Sequence, residues 1–174
     1  MAIILNEYQE LPCSIKTHTS HDTPIANSQS KILLYSENEI VNSFEKDFEN
    51  KFQGVADPFY NCHGLTFACK RTGIYNSNEI WKIIKEEYRP IKTEREVLVG
   101  DIVLYLTSDE QDILHSGIVV QSNQETIPDI LIYSKVLKGR EIVHKPTKCT
   151  YYITFNATIK YFRITHDGKF RHCA

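Results

Sequence analysis

Cys62 and His115 are the residues of this chain whose types and surroundings could do covalent chemistry. Cys62 lies in Tyr60-Asn61-Cys62-His63-Gly64-Leu65-Thr66-Phe67-Ala68-Cys69, which reads as a loop entering a helix, with Asn61 as N-cap and the thiol in the first turn. Unpaired amide N–H groups and the positive end of a helix dipole favour a thiolate there and can receive an oxyanion. Gly64 lets another backbone or a substrate approach the sulfur. A lone cysteine opening a helix is more often a small buried hydrophobe, so catalysis also needs a base. His115 supplies one, placed where a strand begins after a polar turn. If that strand packs on the helix, its imidazole can take the thiol proton and later return it to a leaving group.

The elements that must position this pair follow from hydrophobic periodicity. Residues 1–30 mix Pro12, Pro24, Ser and Thr without apolar spacing and read as an irregular arm, leaving 31–174 as a single domain. Ile40, Val41, Phe44, Phe48 and Phe52 predict an amphipathic helix over 36–52, capped by Ser36. The Cys62 helix is expected to run to Thr72 before Gly73, with Cys69 as an inward-facing core residue two turns below the nucleophile. Asn76 and Glu79 resemble a capping box opening a third helix that stops before Pro90. Strands are expected over 101–106, 113–120, 130–136, 141–144 and 159–164, with 151–155 as a candidate further strand. Helices preceding a run of strands predict an α+β domain, N-terminal helices packed on an antiparallel meander sheet.

Composition narrows the function classes. A formal charge of -2 with scattered basic residues gives no electrostatic footprint for nucleic acid or an anionic membrane, so neither is an expected partner. Five cysteines, an odd number without a CxxC pair, argue for reduced thiols rather than a disulfide framework. Ile3, Ile4 and Leu5 fall short of a signal-peptide core, so residence in the cytoplasm is expected, with signal-independent export left open. Cys13, His18 and His21 match no common zinc spacing, and neither a metal nor a cofactor is expected.

Three motifs carry a resemblance: Asn61-Cys62-His63-Gly64, then Gly100-Asp101-Ile102-Val103, then His115-Ser116-Gly117-Ile118-Val119. Their order and spacing resemble the NlpC-like and CHAP branches of the papain-like cysteine peptidase fold, over roughly residues 57–162. The resemblance implies Cys62 as nucleophile, His115 as base and a polar residue of the next strand orienting the imidazole. Members usually place His, Asn, Gln or Glu there; this chain departs, with Ser134 at about that position and His144 as a rival if a turn at Lys138-Gly139 pairs it near Tyr133. Tyr60 and Asn61 stand beside the expected oxyanion, while His63 points away from Cys62 and reads as structural or as a substrate-side contact.

The function so implied is a cysteine hydrolase, a peptidase or amidase cleaving a peptide, isopeptide or related amide through a Cys62 acyl-enzyme. A translocated toxin, with an inhibitor or immunity protein as its partner, or an intracellular amidase fits better than a housekeeping cell-wall enzyme. Two alternatives stay open: acyl transfer to an amine or lipid on the same scaffold, and a non-catalytic binding domain in which Cys62 is merely packed.

Overall fold

The structure, a computed structural model, describes residues 15, 17–30, 51–123 and 129–165. Its centre is β3 (Ile102–Leu106), whose sequence Ile-Val-Leu-Tyr-Leu is buried at every position. Such a continuous apolar run is what a strand covered on both faces requires. Ile102, Leu104 and Leu106 point to one core with Ile74, Ile80, Ile83, Ile84 and Phe162. Val103 and Tyr105 point to the other, with Val119, Ile132, Cys149 and Tyr161.

Around β3 lie β1 (Lys51–Gln53), β2 (Tyr88–Ile91), β4 (Ile113–Asn123), β5 (Asp129–Lys135), β6 (Glu141–His144) and β7 (Thr158–Ile164). They form one seven-stranded sheet in the order β1-β6-β5-β4-β3-β7-β2, with every neighbouring pair antiparallel. Strands β3 to β6 are the expected meander, and β7 returns to pair with the free side of β3. The mixed helix and antiparallel sheet is the α+β class. Strand β2 escapes the sequence pattern because it contains Pro90, and it is tolerated because β2 is a sheet edge. Most of the expected helix over 36–52 lies outside the described residues, but its last two positions belong to β1.

The Cys62 helix, α1 (Cys62–Phe67), is one turn shorter than its apolar spacing suggests. Cys69 and Lys70 take left-handed backbone angles, and the amides of Ala68 and Lys70 both donate to the Gly64 carbonyl. The chain then doubles back so closely that a Cβ on Gly64 would stand 1.9 Å from the Thr72 carbonyl oxygen. Gly64 thus admits a backbone, and Cys69 is exposed rather than part of the core.

Asn61 staples this return. Its Oδ1 accepts from the amides of Gly64 (2.9 Å) and Ile74 (3.1 Å), and its Nδ2 donates to the Ile74 carbonyl at 2.7 Å. Asn61→Ala is expected to cost about 3 kcal/mol in a urea titration, since it removes a cap and strands two buried backbone groups of Ile74.

Helix α2 (Ser77–Glu87) begins as expected at Asn76, whose side chain accepts from the Asn78 amide. Glu79 does not complete a capping box; it pairs with Lys82 and accepts the Ala26 amide, drawing the arm onto the helix. Residues 150–155 form a helix, α3 (Thr150–Phe155), not a strand. Aromatic and β-branched content favours extension there, but packing of Tyr151 on the sheet wins, and the left-handed Asn156 ends the turn. Among the described residues no helix is long and apolar enough to cross a membrane.

Candidate active site

Strand β4 sorts the site residues onto two faces. His115 is paired with Tyr105 and Ser116 with Leu104, so consecutive side chains leave the sheet in opposite directions. Ser116 faces α1: its hydroxyl bonds the Nδ1 of His63 at 2.8 Å and donates to Thr66 at 3.0 Å. His63 is therefore a buried strut between helix and sheet. His115 faces α3, its ring stacked on Tyr151 with centroids 4.6 Å apart and planes within 10°.

Cys62 approaches β4 from the α1 side. Its sulfur is hydrogen-bonded by the backbone amides of Ser116, His63 and Cys62 itself, which favour the thiolate, and the Lys135 ammonium adds to this. Burial outweighs them and pushes the thiol up to about 11, so the resting sulfur is protonated. Lys135 is fully buried, donates to the Gly139 carbonyl at 2.6 Å and lies 4.1 Å over the Tyr60 ring. Burial lowers this amine to about 8. No hydrogen bond joins Cys62 to His115 among the described residues, and the His115 Nδ1 is buried without any partner.

The far-face cluster gathers what the sequence offered as alternatives. His144 pairs with Ile132, one residue from the expected Tyr133, and so shares a face with Ser134. Its Nδ1 donates to the Lys145 carbonyl at 2.9 Å, which fixes Nε2 as an acceptor for the Ser134 hydroxyl, also at 2.9 Å. Ser134 and His144 are thus partners of one another, and neither hydrogen-bonds His115. Stacking on Tyr151 and contact with Tyr105 orient that imidazole instead of the expected polar residue. Burial lowers His144 and His63 to about 4 and His115 well below its usual value, so all three rings are neutral at pH 7.

A small pocket opens on this cluster, lined by His115, Ser134, His144, Cys149 and Tyr151 among others. Cys149 is the thiol that sequence reasoning passed over; only the pairing of β4, β5 and β6 brings it to the histidines.

The remaining motif residues hold the frame. Tyr60 donates to Glu141 at 2.6 Å, and Glu141 also receives Lys70 at 2.6 Å and the Tyr133 hydroxyl. Asp101 binds Arg163 through both carboxylate oxygens, at 2.8 and 2.7 Å, and accepts the Leu98 amide. Asp101 therefore fastens the start of β3 to β7, while the Gly100 amide donates to the Val119 carbonyl of β4. Comparison with family models, curated proteins and solved structures found no match for this chain.

Proposed function

We propose that this chain is a cysteine hydrolase of the papain-like kind, acting on amide bonds with Cys62 as nucleophile and His115 as base. The observation that carries the reading is the buried, unpartnered Nδ1 of His115, one residue along β4 from the amide that holds the Cys62 sulfur. A base kept neutral and without competing partners is ready to accept a proton.

In the first half-reaction the Cys62 proton passes to His115 as sulfur attacks the carbonyl carbon, and the amides around the sulfur are donors for the oxyanion. Collapse breaks the C–N bond, and the His115 proton leaves with the amine. Water, deprotonated by His115, then cleaves the thioester and regenerates the thiol. Lys135 supports the developing thiolate by charge. Because both groups rest neutral, proton transfer accompanies attack instead of preceding it.

Peptide, isopeptide and simple amide panels test this by amine release. Turnover lost in Cys62→Ser and retained in Cys69→Ser is expected; release unaffected by Cys62→Ser overturns the proposal.

A further inference from the structure

We propose that His115, His144 and Cys149 form a binding site for one borderline-soft divalent cation of the zinc class. A nitrogen of each imidazole and the Cys149 sulfur all lie within 4.8 Å of one another, and all three residues are buried. Small side-chain rotations bring three such donors to the roughly tetrahedral spacing that zinc takes with imidazole and thiolate.

The surroundings fit a ligand set better than an apolar core. The Lys145 carbonyl holds the Nδ1 proton of His144, the outer contact that orients metal-bound histidines, so its Nε2 lone pair, which accepts from Ser134, becomes a ligand once that hydroxyl turns aside. His115 has a buried nitrogen with no partner, which a cation would satisfy. The amides of Tyr151 and Tyr152 hydrogen-bond the Cys149 sulfur and would offset charge on a bound thiolate. Ser134, which hydrogen-bonds His144, stands where a fourth ligand or a bound water would complete the shell. Two neutral imidazoles and one thiolate select a zinc-like ion over calcium or magnesium, which want oxygen. Binding displaces one proton, that of the Cys149 thiol.

The spacing His-x28-His-x4-Cys resembles no zinc motif, so this site is invisible until the sheet is paired. One consequence rests on the hydrolase reading: an ion here occupies His115, so it would stop Cys62 from acting while bound.

The test is titration of the metal-free full chain with Co2+, followed by displacement with Zn2+. One equivalent giving tetrahedral d–d bands and a thiolate-to-cobalt charge-transfer band is expected, with the charge-transfer band lost in Cys149→Ser. Absence of that band in the native chain, or its persistence in Cys149→Ser, overturns the proposal. Should Cys149→Ser fail to fold, native protein suffices: Zn2+ is expected to slow Cys149 alkylation about tenfold or more, read by peptide mass spectrometry. An unchanged Cys149 rate is equally decisive against the site. Neither readout depends on Cys62 being a nucleophile.

Discussion

Alkylation of Cys62 by iodoacetamide is expected to be nearly independent of pH between about 6.5 and 7.5 in the native protein, where Lys135 keeps its charge, and steeply dependent on pH in His115→Ala. A free thiol reacts through its thiolate, so its rate climbs about tenfold per pH unit below its pKa. With the Cys62 thiol held up to about 11, that route is slow near neutrality. His115 is neutral throughout this range, because burial beside His144 and His63 lowers it. Base-assisted attack therefore proceeds at a constant rate over this window; above it, loss of the Lys135 charge slows attack while the thiolate route grows. His115→Ala leaves only the thiolate route, and the rate at pH 7 is expected to fall by about 10²–10⁴. Peptide mass spectrometry across a pH series reads both profiles, and parallel slopes in the two proteins would remove His115 as the base.

The second large effect is on stability in mild acid. His63, His115 and His144 have folded-state pKa values below that of an unfolded histidine, which is about 6.5. Above that pH neither state binds the extra protons and nothing is lost. As pH falls from 6.5 towards 4 the unfolded chain takes up protons that the folded chain refuses, at about 1.4 kcal/mol per unit for each ring. Three rings together cost about 5 kcal/mol by pH 5, a large share of what holds a domain of this size. Urea midpoints at pH 7 and pH 5 should differ accordingly, and His63→Asn, which can keep a donor towards Ser116, should reduce the slope by about a third. A stability that does not change over this window would mean that these rings are solvated or charged in the fold.

The continuous apolar run of β3 places the central strand from sequence, because burial on both faces leaves a dense local signature, and the alternation of Ile159, Tyr161 and Arg163 with Lys160 and Phe162 is enough to mark β7. The limits of α1 and the nature of α3 were not legible. One depends on the chain reversing so that the Thr72 carbonyl lies over Gly64, which periodicity does not mark, and the other on Tyr151 lying against His115, a segment remote in sequence. Cys62 and His115 stood out because each sits at the start of an element. Sequence presents Ser134 and His144 as rivals for one role; a register one residue from the expected pairing makes them hydrogen-bonded neighbours. Cys149 carried no local sign at all. Its position at the histidines is a product of two strand pairings, β4 with β5 and β5 with β6, and a short helix.

The measurement that bears most directly on the central claim is trapping of the acyl-enzyme. The metal-free chain is incubated with an activated acyl ester, quenched in acid and digested, and the acylated cysteine is located by mass spectrometry. An acyl group on Cys62, formed at a rate that His115→Ala reduces by the same factor as alkylation, is the expected result. Acylation of Cys149 in place of Cys62, or of the exposed Cys69 at a comparable rate, would contradict the account.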